Sequence, residues 1–88
     1  MEYKEIIGPK LKSIREEYGR TQEEIASILG ITTKTLDNWE NGRTEMRLKS
    51  FVDICNLYQV STDYIYGLSN DRQIKRKQKH EWQAKQID

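Results

Sequence analysis

The sequence has few of the residues that build disulfides, metal centres or rigid turns. Its 88 residues include one cysteine, one histidine and one proline. A single cysteine excludes an internal disulfide, and the apolar neighbours of Cys55 favour a buried reduced thiol over a redox or ligand site. His80 has no second histidine and no cysteine nearby, so it is a poor candidate for a metal ligand. We therefore expect no metal, no cofactor and no small-molecule ligand.

Long hydrophobic runs and catalytic patterns are also missing. No stretch approaches the roughly 18 apolar residues of a membrane-spanning helix, and no signal peptide is recognisable. There is no glycine-rich phosphate loop and no plausible Ser/His/Asp set. The acidic pairs Glu16–Glu17 and Glu23–Glu24 point to different faces of their helices, which suits solubility and capping rather than catalysis. We therefore expect one small cytoplasmic domain that is not an enzyme and does not contact a membrane.

The charge of the chain is close to balanced. It has 15 lysines and arginines against 14 acidic residues, for a net charge of +1. This is not the basic excess expected of a generic nucleic-acid-binding protein. Residues 71–88 hold six basic and three acidic side chains, whereas residues 1–70 hold nine and eleven, a net charge of −2. If residues 1–70 bind DNA, their few cations must be well placed, or the tail must supply part of the attraction.

The centre of the chain is predicted to form two short helices joined by a tight turn. Thr21 and Glu24 have the spacing of a capping box, which begins a first helix from about Gln22 to Leu29. Gly30 ends this helix, because glycine readily adopts a positive φ at a helix C-terminus. Ala26 is the predicted point of closest approach between the two helices, where a larger side chain would push them apart.

The second helix has two chemically different sides. Thr32 is its predicted N-cap, and it runs from about Thr33 to Asn41. Leu36 and Trp39 share the side that faces the rest of the domain. The other side is wholly polar and carries Thr33, Lys34, Asp37, Asn38 and Asn41. A helix held along one side, with short hydrogen-bonding groups on the other, is suited to the major groove of DNA.

Three further helices are predicted around this pair. The first begins at Ile6 or Ile7 after a loose segment, residues 1–5, with Pro9 in its first turn and its end at Tyr18. The fourth covers roughly residues 48–58, and the fifth covers 62–66 with Ser61 as its N-cap. The core side chains predicted for this half are Leu48, Phe51, Val52, Cys55, Leu57, Ile65 and Leu68. Tyr64 and Tyr66 either pack at the solvent edge or form part of a dimer surface.

The order of these residues resembles the helix-turn-helix of the phage-repressor/Cro and XRE family of bacterial transcription regulators. The similarity runs from about Leu11 to Leu68 and includes Leu11…Ile14-Arg15, Trp39-Glu40-Asn41-Gly42 and Val60-Ser61-Thr62-Asp63-Tyr64-Ile65-Tyr66-Gly67. It implies an all-α fold with a compact five-helix DNA-binding domain in residues 1–70. In this family the arginine at the place of Arg15 pairs with the glutamate at the place of Glu40, which would fix the first helix against the recognition helix.

The resemblance also implies which residues touch DNA. The positions that reach base edges in the family are occupied here by Thr33, Lys34, Asp37 and Asn38. The positions that hold phosphates are occupied by Gln22, Asn41 and Arg43, with Thr32 and Thr35 as further candidates. The alternative for the base-edge positions is an ordinary solvated helix face. Asp37 is the awkward member, because phosphates repel its carboxylate unless it finds a hydrogen-bond donor.

Residues 71–88 differ in character from the rest and form a basic tail that is either helical or disordered. The tail has no glycine or proline, and its few apolar side chains include Ile74 and Trp82. Three interpretations stay open: a solvated helix or disordered extension, a dimerising helix that uses Trp82, and a basic arm that touches phosphates.

The leading hypothesis is sequence-specific binding of double-stranded DNA by a homodimer that regulates transcription from an inverted-repeat operator, most simply as a repressor. A second hypothesis is a protein-interaction module on the same fold, such as an antitoxin or antirepressor. A third, non-specific architectural DNA binding, is disfavoured by the near-neutral charge, because such binding relies on phosphate neutralisation.

Overall fold

The computed structural model describes residues 2–74, which form five α-helices and no β-strand. The helices are α1 (Tyr3–Glu17), α2 (Gln22–Leu29), α3 (Thr33–Glu40), α4 (Leu48–Tyr58) and α5 (Thr62–Ile65). The predicted all-α, five-helix fold is therefore confirmed. Within residues 2–74, no helix is long and apolar enough to cross a membrane. The predictions for the helical or disordered tail, Trp82 and His80 lie outside the described residues.

Helix α1 begins three residues or more before its predicted start. The backbone N–H of Glu2 donates to Oε1 of Glu5 at 3.1 Å, and the N–H of Glu5 donates to the Glu2 carbonyl at 3.0 Å. These reciprocal bonds satisfy groups that a helix N-terminus otherwise leaves unpaired. The prediction of a loose segment over residues 1–5 was therefore wrong for residues 3–5. Pro9 is consequently the seventh residue of α1 and lies beyond its first turn.

Gly8 allows α1 and α3 to approach each other at backbone distance. A Cβ atom added at Gly8 would lie 2.7 Å from the carbonyl oxygens of both Trp39 and Glu40. Gly42 comes close to α1 as well, since a Cβ there would lie 3.2 Å from the Lys4 carbonyl. Ala26, the predicted point of closest approach between α2 and α3, is buried. The close approach at Gly8 was not predicted.

The hydrophobic core draws on all five helices. Its buried members are Leu11, Ile14, Ile25, Leu36, Trp39, Phe51, Ile54, Cys55, Tyr58, Val60 and Ile65. Because each helix is short, this shared burial rather than intrinsic helix propensity stabilises the individual elements. The core joins α3, through Leu36 and Trp39, to the same apolar cluster as α4 and α5.

Three of the predicted core side chains are exposed instead. Leu48 and Leu68 are 76% and 67% exposed, and Val52 is 39% exposed. Leu48 is the first residue of α4, and Leu68 follows Gly67, whose φ of +79° turns the chain at the end of α5. The buried face of α4 consists of Phe51, Ile54, Cys55 and Tyr58, which leaves Val52 at its edge.

The tyrosines of the C-terminal half pack within the chain. The Tyr66 ring lies 4.9 Å from the Tyr3 ring and 4.8 Å from the Phe51 ring, measured between centroids. The Lys10 ammonium lies 4.2 Å from the centroid of Tyr64, which is a cation–π contact. Packing of this kind accounts for both tyrosines, and their predicted alternative role in a dimer surface stays a prediction.

Residues 71 and 72, which follow α5, form hydrogen bonds with Ser61 and with the end of α1. The Ser61 N–H donates to the Arg72 carbonyl at 2.8 Å, and the Ser61 hydroxyl donates to the Asp71 carbonyl at 3.1 Å. The Arg72 guanidinium donates to Glu17 at the end of α1 at 2.8 Å. The first residues of the predicted tail are thus held against α1 and α5.

We expect Gly8→Ala to destabilise the fold. Overpacking against fixed backbone costs about 1–3 kcal/mol, and alanine recovers only about 1 kcal/mol through its higher helix propensity. Urea denaturation should show a net loss of unfolding free energy. Ser13→Ala, at an exposed site on the same helix, should be neutral or slightly stabilising. A Gly8→Ala variant at least as stable as the wild type would contradict the close contact.

Cys55 should be unreactive in the native protein. It is 3% exposed, and burial raises the pKa of its thiol to about 11. At about pH 8 an ordinary cysteine is partly ionised, and the thiolate is the reactive form. An aromatic disulfide reagent should therefore modify the unfolded chain in urea far faster than the native chain. Comparable rates in the two states would contradict the burial of Cys55.

Candidate DNA interface

Two capped helices and a glycine turn build the motif at the centre of the fold. The Glu24 N–H donates to the Thr21 hydroxyl at 3.1 Å, and the Thr21 N–H donates to the Glu24 carboxylate at 2.9 Å, as the capping-box spacing predicted. Gly30 has a φ of +72°, and it is followed by a bond from the Ile31 N–H to the Ala26 carbonyl at 3.0 Å. This local chemistry fixes where α2 ends and the turn begins.

The N-terminus of α3 is capped by threonine. The Thr35 N–H donates to the Thr32 hydroxyl at 3.1 Å, and the two hydroxyl oxygens of Thr32 and Thr35 lie 2.8 Å apart. Both hydroxyls therefore participate in the cap in the free protein. Their predicted contacts with phosphate stay predictions.

Helix α3 is buried along one side only. Leu36 is fully buried, and Trp39 and Glu40 are 7% and 4% exposed. Lys34 is exposed, whereas Thr33 and Asn38 are partly exposed. The helix therefore presents a polar side to solvent while its other side contributes to the core.

Arg15 and Glu40 form a buried bidentate ion pair between α1 and α3. Arg15 Nε donates to Glu40 Oε2 at 2.7 Å, and Nη2 donates to Oε1 at 3.0 Å. Arg15 Nη1 donates to the Arg20 carbonyl at 2.8 Å, so the guanidinium also holds the α1–α2 connection. The hydrogen bonds to Glu40 raise the pKa of Arg15 despite its burial, so the guanidinium remains charged. This is the pair that the family resemblance implied.

Gln22 links α2 to α3 through one amide group. Its Nε2 donates to Glu40 Oε1 at 3.0 Å and to Asp37 Oδ1 at 3.1 Å. Gln22 is predicted to contact a DNA phosphate, and this connection to α3 was not predicted. Its two acceptors are 15 and 18 residues away in the sequence, so no local sequence pattern predicts the contact.

Asp37 lies at the centre of a polar group that we call the Asp37 cluster, formed by Gln22, Asp37, Asn41 and Arg43. Asp37 Oδ1 also accepts from Asn41 Nδ2 at 3.0 Å, and Oδ2 accepts from Arg43 Nη1 at 2.9 Å. The hydrogen bonds from Gln22, then Arg43 and Asn41, hold the pKa of the Asp37 carboxyl below its usual range. The Asp37 carboxylate, which phosphates would repel, thus accepts hydrogen bonds from donors within the protein itself.

The remaining residues predicted to contact base edges form fewer hydrogen bonds within the protein. Asn38 Oδ1 accepts a long hydrogen bond of 3.3 Å from Arg43 Nη1. Thr33 and Lys34 make no side-chain hydrogen bond or ion pair with other residues in the described part of the chain. The polar face of α3 is therefore suited to hydrogen bonding with an external partner.

Over residues 2–74 there is no group of three His, Cys, Asp or Glu side chains that could hold a metal ion.

Comparisons with known proteins agree with this geometry. A family model described as helix-turn-helix matches residues 11–65. The HTH-type transcriptional regulator ImmR of Bacillus subtilis is 38% identical over 61 residues, which cover 69% of this chain and 48% of ImmR. The prophage-derived regulator YonR of the same organism is 35% identical over 60 residues, 68% of this chain and 56% of YonR. Antitoxin PezA of Streptococcus pneumoniae is 36% identical over 62 residues, 70% of this chain and 39% of PezA.

The fold, the motif and these similarities define a helix-turn-helix protein. The chain belongs to the Cro/C1-type, or XRE, family of DNA-binding transcription regulators. It spans about half the length of ImmR and YonR.

Breaking the Arg15–Glu40 pair should be costly. Arg15→Met leaves the Glu40 side chain, which is 1% exposed, as a buried carboxylate without its cation. Removing one partner of a buried pair typically costs about 3–5 kcal/mol, which urea denaturation can measure. Replacing both residues by methionine should recover part of this loss.

Lys12→Met provides the control, because Lys12 lies on the exposed side of the same helix and should change stability little. An Arg15→Met variant as stable as Lys12→Met would contradict the proposed cost of the unpaired carboxylate.

Proposed function

We propose that this protein is a sequence-specific regulator that binds double-stranded DNA as a homodimer, most simply as a repressor that blocks a promoter. The supporting observation is the one-sided burial of α3, with Leu36, Trp39 and Glu40 inside and Thr33 and Lys34 open to solvent. A rigidly held helix with a polar outer face is what major-groove recognition requires.

The side chains divide into two roles on this proposal. Lys34 suits the O6 and N7 acceptors of guanine, Asn38 suits adenine N6 and N7, and the Thr33 methyl group suits the thymine methyl group. Backbone phosphates are assigned to Gln22, Thr32, Thr35, Asn41 and Arg43. Phosphate contacts set the position of the helix on the duplex, whereas the base contacts supply sequence preference.

Charge supports a dimeric mode of binding. Residues 1–70 carry a net charge of −2, so the attraction of one protomer for the DNA polyanion is weak. Linking two recognition helices makes the second contact intramolecular, so the dimer binds more tightly than either protomer alone. On this proposal each helix reads one half-site of an inverted repeat, with centres about 34 Å apart.

Selection of bound duplexes from a randomised DNA pool tests the proposal directly. At a physiological salt concentration of about 0.15 M, we expect enrichment of an inverted repeat whose half-sites lie about one helical turn apart. Retention of DNA without enrichment, lost as salt is raised, would contradict sequence-specific regulation.

Asn38→Ala should relax base preference at one position of each half-site. The expected cost is about 1–3 kcal/mol on the selected duplex, because a base-specific contact is lost. Arg43→Ala provides the contrast: it should weaken binding to all sequences alike and reduce the salt dependence. Titration of both variants with selected and single-base-substituted duplexes measures the two effects. An equal loss on every duplex for Asn38→Ala would exclude a base-reading role.

A second candidate is a protein-interaction module of the antitoxin or antirepressor type. The similarity to Antitoxin PezA and the net negative charge of residues 1–70 favour it. Expression in the native host followed by size-exclusion chromatography tests this candidate. A stoichiometric second chain that stays bound at high salt would support it, whereas elution as a homodimer that selects an inverted repeat would favour the leading proposal.

A further inference from the structure

The donors assigned to DNA phosphate are already occupied in the free protein. In the Asp37 cluster, the side-chain donors of Gln22, Asn41 and Arg43 all point at one carboxylate, at distances of 3.1, 3.0 and 2.9 Å. A phosphate oxygen would use the same hydrogen bonds that this carboxylate accepts. Phosphate and Asp37 therefore compete for the amide nitrogens of Gln22 and Asn41 and for Nη1 of Arg43, whereas Nε and Nη2 of Arg43 have no hydrogen bond within residues 2–74.

The Asp37–Arg43 ion pair is weak enough for a phosphate to displace it. The Asp37 and Arg43 side chains are 41% and 57% exposed. Exposed ion pairs are weak and are screened by salt, so a phosphate can displace the carboxylate from the arginine. The displaced carboxylate, however, stays on the helix and keeps its negative charge next to the DNA backbone.

Asp37 lies near the middle of the recognition face. It follows Thr33 by four residues and Lys34 by three, which places these side chains along one stripe of the helix. The other carboxylate of α3, Glu40, is buried against Arg15. The charge of Asp37 is thus central to the face, and once phosphates take up its donors within the protein it is compensated only where the duplex offers a hydrogen-bond donor.

The major groove provides such donors at defined bases. The exocyclic amino groups of cytosine N4 and adenine N6 are its hydrogen-bond donors, whereas guanine and thymine offer acceptors at the corresponding edge. A duplex with an amino group opposite Asp37 compensates the carboxylate, and other duplexes leave it uncompensated. Specificity of this kind arises by penalising the wrong partner as well as by favouring the right one.

We propose that Asp37 determines specificity in two ways: in the free protein it occupies the phosphate-binding donors and suppresses non-specific binding, and on the operator it accepts a hydrogen bond from a base amino group. This inference rests on the proposed DNA-binding function. It adds that a residue on the recognition face weakens binding to most DNA.

Asp37→Asn tests the proposal, because it removes the charge and keeps the size of the side chain. Affinities are measured for the selected duplex and for a random-sequence duplex at about 0.15 M salt. We expect binding to the random duplex to strengthen by about 3- to 10-fold, and the ratio of specific to non-specific affinity to fall at least about 10-fold. Asp37→Ser provides a second neutral side chain, and circular dichroism checks that each variant is folded.

Glu45→Gln is the matched control. Glu45 is an exposed carboxylate in the loop that follows α3, close in sequence to Arg43, and it has no hydrogen bond to Gln22, Asn41 or Arg43. It therefore removes the same charge without freeing the phosphate-binding donors. The control should leave the affinity ratio nearly unchanged.

The possible outcomes separate the two proposals. If Asp37→Asn weakens binding to both duplexes by the same factor, Asp37 only positions the helix and the inference is overturned. If Asp37→Asn and Glu45→Gln behave alike, the effect is one of overall charge, and the inference is again overturned. If the wild-type chain selects no sequence at all, the proposed function itself fails, and the inference fails with it.

Discussion

The orientation of the recognition helix depends on the buried pair between Arg15 and Glu40. Helix α3 has eight residues, which is too few for a stable isolated helix in water. A bidentate arginine–carboxylate pair fixes both distance and angle, because two parallel hydrogen bonds define a plane. The third donor of Arg15 reaches the Arg20 carbonyl, and Gln22 approaches Glu40 from α2. One carboxylate therefore sets the mutual arrangement of α1, α2 and α3.

On the proposed function, the surface charge favours discrimination between DNA sequences over high affinity for DNA in general. The part of the chain that carries the recognition helix has a net negative charge, and one of its arginines, Arg43, is paired with Asp37. A protein of this kind gains little from the general attraction of DNA for cations. On the proposed function, its selectivity comes instead from matched hydrogen bonds at a few bases. The neutral composition, which first argued against nucleic-acid binding, is thereby compatible with a DNA-binding family.

Features set by neighbouring residues were predictable from the sequence, whereas features set by the packing of distant segments were not. The caps at Thr21 and Thr32 and the turn at Gly30 depend on residues within one helical turn, and the structure contains all three. The role of Gly8 depends on how α1 crosses α3, which no periodicity reveals. The exposure of Leu48, the first residue of α4, depends on which side of α4 packs against the other helices. Asn41 follows Asp37 by four residues, so their contact is predictable from the spacing, whereas the contact of Gln22 with Asp37 depends on how α2 packs against α3.

Thr33 and Lys34 stand apart from the network that holds α3 in place. Neither side chain forms a hydrogen bond or ion pair with the rest of residues 2–74, whereas Glu40, on the opposite side of the same helix, is fully engaged. On the proposed function, substitutions at these two positions change the surface that a duplex meets and remove no side-chain hydrogen bond or ion pair that holds α3. On the same proposal, related chains can differ in target sequence while they share one scaffold, without the stability penalty that accompanies most changes inside a small protein.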